Sequence, residues 1–137
     1  PSQTRVSSHY GWRNDPFTGK RTFHKGIDIS APKGSPIYPV KEGIVEEVGF
    51  NRGYGNYVRV KHDDGTVSLY AHNESNLVKK GERVDPTTQI ARVGATGRAT
   101  GNHLHFEILQ DGKAINPQRI LNIIQYAHSK HQLETRG

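Results

Sequence analysis

Cysteine is absent from this chain of 137 residues. Its absence excludes a thiol nucleophile and a disulfide scaffold, and agrees with an exported protein. Long apolar runs are missing too. Nothing approaches the roughly 18 consecutive apolar residues that a membrane-crossing helix requires, so no membrane segment is expected in this chain. No internal repeat or low-complexity stretch interrupts the sequence, and its length suits one domain with a single adequate core. That domain is expected to occupy residues 1–128, with a polar, disordered tail over 129–137. The chain opens on Pro1 with no recognisable signal peptide. The expectation is a mature form or fragment whose export signal lies elsewhere.

Positive charge is in excess, with a formal net charge of +6. That favours anionic partners. The lysines and arginines are scattered, however, and no nucleic-acid-binding motif occurs, so no nucleic acid partner is expected.

Fifteen glycines and seven prolines punctuate short apolar runs: Ile37 to Val40, Gly43 to Phe50, Asn56 to Lys61, Val67 to His72, Gln89 to Val93, and His103 to Leu109. This pattern reads as a mainly β fold of antiparallel sheets forming an open groove, one polar face carrying the functional groups. Asp64-Gly65 reads as a hairpin between the third and fourth runs, and Asp111-Gly112 ends the last. A short C-terminal helix is expected to follow. Asn116 suits its N-cap and Pro117 its first position, while Ile120, Leu121 and Ile124 recur at helical spacing.

The chemistry is concentrated in five residues. His103, His105 and Glu107 alternate with Leu104, Phe106 and Ile108, so two imidazoles project from one face of a strand. His24 and Asp28 share one parity of the extended run His24-Lys25-Gly26-Ile27-Asp28. A bridge from both to one ion requires a bend, which Gly26 can provide. His72 closes the run from Thr66, in which Val67, Leu69 and Ala71 face one way and Thr66, Ser68, Tyr70 and His72 the other. In all three segments the candidate lies on the polar face of a strand. A lone strand histidine is ordinarily a solvated or hydrogen-bonded side chain, so His72 carries little by itself. The pair on one face carries more. Two imidazoles and a carboxylate are the donor set of an open zinc site, with two further imidazoles left for acid–base work. Spacing leaves His103 and His105 interchangeable in these roles. His9, His62, His128 and His131 read as solvent-facing, although His9 can approach the site from a neighbouring loop. Glu107 reads either as a solvated carboxylate or as a hydrogen-bond partner of a ligand histidine.

From about Val6 to Leu121 the chain resembles the catalytic domain of the lysostaphin/LytM-type zinc metallopeptidases. The resemblance is carried by Tyr10-Gly11-Trp12-Arg13, Asp15-Pro16-Phe17-Thr18-Gly19, His24-Lys25-Gly26-Ile27-Asp28-Ile29 and Ala31-Pro32-Lys33-Gly34-Ser35-Pro36-Ile37-Tyr38. It continues through Gly53-Tyr54-Gly55-Asn56, Tyr70-Ala71-His72 and the run from Thr96 to Glu107. It implies one zinc per chain bound by His24, Asp28 and His105, with His72 and His103 unliganded beside it as joint general base, proton shuttle and transition-state stabiliser. Arg13, Tyr54 and Asn56 are then candidates for the substrate groove. The implied activity is endopeptidase cleavage of bacterial peptidoglycan, at cross-links or within stem peptides, in the periplasm or outside the cell. The positive charge suits retention on an anionic wall. Asn73, Ala99, Asn102 and Asp85-Pro86 depart from the usual family pattern without touching an inferred ligand.

Two other functions share part of this signature. A non-catalytic or latent domain of the same type would bind cell wall or activate an amidase, under a regulatory partner or inhibitory segment. Such domains usually lack metal ligands, and here all three stand. An iron(II) oxygenase also uses two histidines and a carboxylate. The gap between His24 and Asp28 is longer than its usual pattern, and it has no use for His72 and His103.

Overall fold

The computed structural model describes residues 5–118. Twelve strands are present there: β1 (Arg5–Ser8), β2 (Gly11–Asn14), β3 (Arg21–His24), β4 (Ile27–Ser30), β5 (Pro36–Ile37), β6 (Gly43–Asn51), β7 (Gly55–Lys61), β8 (Val67–Asn76), β9 (Arg83–Val84), β10 (Ala91–Val93), β11 (His103–Gln110) and β12 (Lys113–Ile115). Ten belong to one antiparallel sheet in the order β1-β4-β11-β8-β7-β6-β9. Of the others in that sheet, β10 pairs with β8 and β5, and β12 pairs with β11. The remaining two, β2 and β3, form a separate ribbon. The mainly β, antiparallel architecture expected from the short apolar runs is what forms.

Alternation along the central strands sorts the side chains into two layers. Phe106 and Ile108 of β11, Tyr70 of β8 and Val58 and Val60 of β7 are buried together in the hydrophobic core. The register explains why, because Phe106 stands opposite Tyr70, and Tyr70 opposite Val58. The Tyr70 and Phe106 rings meet with centroids 5.3 Å apart. Residues of the other parity, His103, His105 and Glu107, rise from the opposite face. Both hairpins form. Asp64-Gly65 lies between β7 and β8, where Asp64 Oδ1 accepts a hydrogen bond from the Thr66 amide at 2.9 Å. Asp111 and Gly112 connect β11 to β12 with φ angles of 52° and 77°. Two successive left-handed residues are what a two-residue turn needs to match strand twist, and Asp-Gly supplies them at low cost.

His62 departs from the solvent-facing expectation. It is 3% exposed, and its Nδ1–H donates to Glu42 O at 2.8 Å. Its Nε2 accepts from Ser68 Oγ at 2.8 Å. Ser68 Oγ accepts in turn from the Tyr70 hydroxyl at 2.8 Å, and that hydroxyl accepts from Val40 N at 3.0 Å. Every member of this buried chain has a partner, which offsets the cost of leaving water. A local sequence reading cannot anticipate it, since the partners come from two other segments, residues 40–42 and β8. Asn116 Oδ1 accepts the Gln118 amide at 3.1 Å, the N-cap bond expected there. The rest of the expected helix, the tail from 129, His128 and His131 lie outside the described residues.

Candidate metal centre

Strand pairing brings the expected ligands together. His105 and Asp28 stand directly opposite in the β11–β4 ladder, so their side chains rise from the same face. His24 ends β3 in the ribbon, and the bend expected at Gly26 is a break in which the chain passes from the ribbon to the large sheet. Gly26 is required there for space. A Cβ at this position would lie 2.1 Å from the backbone oxygen of Phe106. The close approach folds His24 back over Asp28, with His24 Nε2 3.4 Å from Asp28 Oδ1 and 3.3 Å from His105 Nδ1. One donor atom from each of His24, Asp28 and His105 lies within 4.8 Å of the others, and all three residues are buried.

Hydrogen bonds fix which nitrogen each imidazole offers. His24 Nδ1–H donates to His9 O at 2.9 Å, which points Nε2 into the cluster. His105 Nε2–H donates to Glu107 Oε2 at 2.8 Å, which directs Nδ1 inward. Glu107 is 2% exposed and also accepts the Tyr54 hydroxyl at 2.7 Å. It is a partner of His105 and not a solvated surface carboxylate. His105 Nδ1 lies 2.8 Å from Asp28 Oδ1. Burial alone would depress the His105 pKa, but hydrogen bonds to Asp28 and Glu107 outweigh it and push the value up to about 9. Burial likewise opposes ionisation of Asp28, yet hydrogen bonds from His105 and His24 hold its carboxyl well below the usual carboxylate range. Two carboxylates thus demand a cation between them. Loss of one proton from His105 leaves Nδ1 as a ligand atom while Nε2–H stays on Glu107. Two oriented imidazole nitrogens and one carboxylate oxygen therefore fit zinc.

His72 reaches this face by a route the alternation of its strand does not announce. Ala71 stands opposite His105 and Leu69 opposite Glu107, so the apolar set of β8 lies on the site face, while Tyr70 lies in the core. Regular continuation would send His72 into the core beside Tyr70. Instead β8 carries one extra residue relative to β7 between the pairs Asn56↔Asn73 and Val58↔Tyr70. At this bulge His72 adopts φ 65°, which turns its ring to the site face. Its amide donates to Tyr54 O at 2.7 Å, and its Nδ1–H donates to Thr96 O at 2.8 Å. Burial pushes the His72 pKa down to about 4, so the ring is neutral near pH 7 with Nε2 unprotonated. His103 donates Nδ1–H to Gly101 O at 2.9 Å and places Nε2 3.6 Å from Asp28 Oδ1. The His72 and His103 rings lie 5.0 Å apart, at the mouth of the cluster.

A cleft of about 320 Å³ opens over these groups. Arg13 lines it and donates from Nη1 to Ser8 Oγ at 2.7 Å and to Asp28 Oδ2 at 3.4 Å, so it braces the candidate ligand as well. Tyr54 lines it too, with its ring stacked 5.9 Å from that of His105. Asn56 does not line it. Its amide donates to the carbonyls of Asn73 at 3.0 Å and Glu74 at 3.3 Å, tying β7 to the bulged part of β8. Sequence reasoning passed over Thr96, whose carbonyl orients His72, and Asp15, Phe17 and Arg98 in the cleft walls. The run Thr96-Gly97-Arg98-Ala99-Thr100-Gly101 was the available signal, since glycines flanking polar residues mark a built loop.

Residues 22–117 match the family described as Peptidase family M23. The chain is 42% identical over 117 residues to the peptidoglycan DD-endopeptidase ShyC of Vibrio cholerae, a match covering 85% of this chain and 27% of that protein. It is 40% identical over 114 residues to the DD-carboxypeptidase/endopeptidase Mpg of Neisseria meningitidis, covering 83% of this chain and 26% of that protein. The chain thus spans about a quarter of the length of these curated relatives. Among solved structures it superimposes on the catalytic domain of lysostaphin from Staphylococcus simulans with a TM-score of 0.79 and 27% identity, covering 88% of this chain and 94% of that one.

Proposed function

The chain belongs to peptidase family M23, and from that premise we propose that it is a zinc-dependent endopeptidase that hydrolyses peptide bonds of bacterial peptidoglycan. The observation that carries this reading is the convergence of His24 Nε2, Asp28 Oδ1 and His105 Nδ1, with the imidazoles of His72 and His103 beside them. Those three atoms are the ligand set for one zinc. The chemistry zinc supplies when bound is Lewis acidity, which polarises a carbonyl and brings the pKa of water to about 7.

The rest of the reaction falls to the side chains. His72 Nε2, unprotonated at neutral pH, accepts the proton of the attacking water and returns it to the leaving amine. His103 Nε2 lies on the same mouth and shares proton transfer and stabilisation of the developing oxyanion with His72. Thr96 O and Gly101 O hold the two rings in the tautomer that offers Nε2 to the cleft. Tyr54 and Glu107 keep His105 from rotating, and Arg13 steadies the second oxygen of Asp28. A peptidoglycan substrate places the protein in the cell envelope, in the periplasm or outside the cell. Regulation by a partner or an inhibitory segment of a longer protein is compatible with the fraction of its relatives' length that the chain spans.

The test is digestion of purified peptidoglycan by the zinc-loaded protein, with products identified by mass spectrometry and His105→Ala as control. Peptide fragments that depend on His105 are expected, and their masses name the bond. One bound zinc per chain with no cleavage would shift the reading to a latent or amidase-activating domain.

A further inference from the structure

Two walls of the cleft meet above the site. The β2–β3 turn contributes Asp15 and Phe17, and the segment between β10 and β11 contributes Arg98. Arg98 Nη2 reaches Asp15 Oδ1 at 3.5 Å, and its guanidinium lies 4.6 Å above the centre of the Phe17 ring. The arginine is rigidly mounted. Its amide donates to Gly53 O at 3.1 Å, and Gly97 before it is so close to the facing loop that a Cβ there would lie 2.2 Å from Gly55 N. The ion pair itself is loose. Its one hydrogen bond is at the limit of useful length, and the arginine side chain is 52% exposed. Asp15 has little need of it, because Oδ1 already accepts the amides of Phe17 at 2.8 Å and Thr18 at 3.1 Å. Four of the five guanidinium N–H donors have no hydrogen-bond partner among the described residues. Arg13, the other guanidinium in the cleft, is held on Asp28 and Ser8. Arg98 is therefore the cation of this cleft that can be released to a ligand.

We propose that Arg98 is a specificity-determining residue that binds a free carboxylate of the substrate close to its scissile bond, and that Asp15 is an internal stand-in which this carboxylate displaces. A planar fork resting on an aromatic face suits bidentate pairing with a carboxylate, which one 3.5 Å contact to an occupied oxygen does not satisfy. The inference rests on the peptide-hydrolase reading above. It narrows the substrate class to peptides with an unamidated carboxylate beside the cleaved bond.

The test uses two synthetic cross-linked peptides, identical except that the carboxylates flanking the scissile bond are free in one and carboxamides in the other. Turnover is measured with the zinc-loaded wild-type protein and with Arg98→Ala, Arg98→Lys and Asp15→Asn. Binding is measured by calorimetry on the His72→Ala background. With Arg98 intact, the His72→Ala protein is expected to bind the free acid about ten- to a hundredfold more tightly, the range of a charge-assisted hydrogen bond. Arg98→Ala removes that preference through KM with little change in kcat, and Arg98→Lys restores part of it. Asp15→Asn keeps the turn, since its oxygen still accepts the two amides, and lowers KM for the free acid. Equal treatment of both peptides by the wild type overturns the proposal while leaving the peptidase reading standing, as does an equal loss on both in Arg98→Ala. No cleavage of either peptide by the wild type, with no binding of either by His72→Ala, would overturn both.

Discussion

His105 sits between two carboxylates, and each does a different task. Asp28 shares the proposed metal position and Glu107 holds the far nitrogen. His105→Ala is expected to lose zinc, because two remaining ligands rarely hold it tightly, and to lose hydrolysis with it; equilibrium dialysis and peptidoglycan digestion read the two losses separately. His72→Ala is expected to keep one zinc per chain while the rate falls on the order of 100-fold or more. Full activity in that variant would remove His72 from the mechanism. At this scale the sequence marks the residues that the fold brings together and leaves open what each one does. Parity left His103 and His105 equivalent. What separates them are their second partners, Gly101 O for one and Glu107 for the other. Only Glu107, two residues along the same strand face, was visible in the pattern. Gly101 O belongs to a loop whose path no periodicity encodes.

Strands place these residues, and two local departures from regular strand geometry decide the placement. At Gly26 the chain must pass against the backbone of β11. Gly26→Ala puts a methyl group 2.1 Å from the Phe106 carbonyl oxygen. That oxygen belongs to a strand paired on both sides, with β4 and β8, and cannot give way as a flexible side chain would. A loss of about 1–3 kcal/mol or more is expected, the range of overpacking in a fixed environment, and urea unfolding measures it. At His72 the left-handed φ of 65° favours glycine. His72→Gly is therefore expected to be more stable than His72→Ala by about 1 kcal/mol, although both lose the same imidazole. Equal stabilities would mean that the backbone relaxes when the ring is removed. Three of the longer strands were legible, since β6, β7 and β11 match apolar runs to within two residues. The face of β8 was not. Val67, Leu69 and Ala71 read as the side opposite the site, and they are the side that carries it. A period-two pattern assumes an unbroken strand, and a bulge reverses its meaning beyond the extra residue.

Across the whole molecule, the proposed centre is expected to couple cation binding to stability through one proton. The His105 pKa rises from an ordinary 6.5 to about 9 in the folded chain. A raised folded value means that the folded state binds this proton more tightly than the unfolded chain does. Its contribution to stability is complete below pH 6.5 and is lost as the pH climbs through about 9. In the proposed site zinc competes for the same nitrogen, so its affinity is expected to follow the opposite course and to increase over that window as the proton leaves. Ligand binding stabilises a fold in proportion to the logarithm of ligand concentration over Kd. The gap in Tm between zinc-loaded and chelator-treated protein is therefore expected to widen steadily from pH 6.5 to pH 9, with the chelated protein losing stability over that range. Thermal unfolding at fixed free zinc, run in parallel on wild type and Glu107→Gln, measures it. Replacing Glu107 removes one of the two carboxylates that raise His105, so the window in the variant is expected to shift towards lower pH. A gap independent of pH in the wild type would show that His105 is not the nitrogen zinc takes from the proton. The same shift in both proteins would show that Glu107 does not set its basicity.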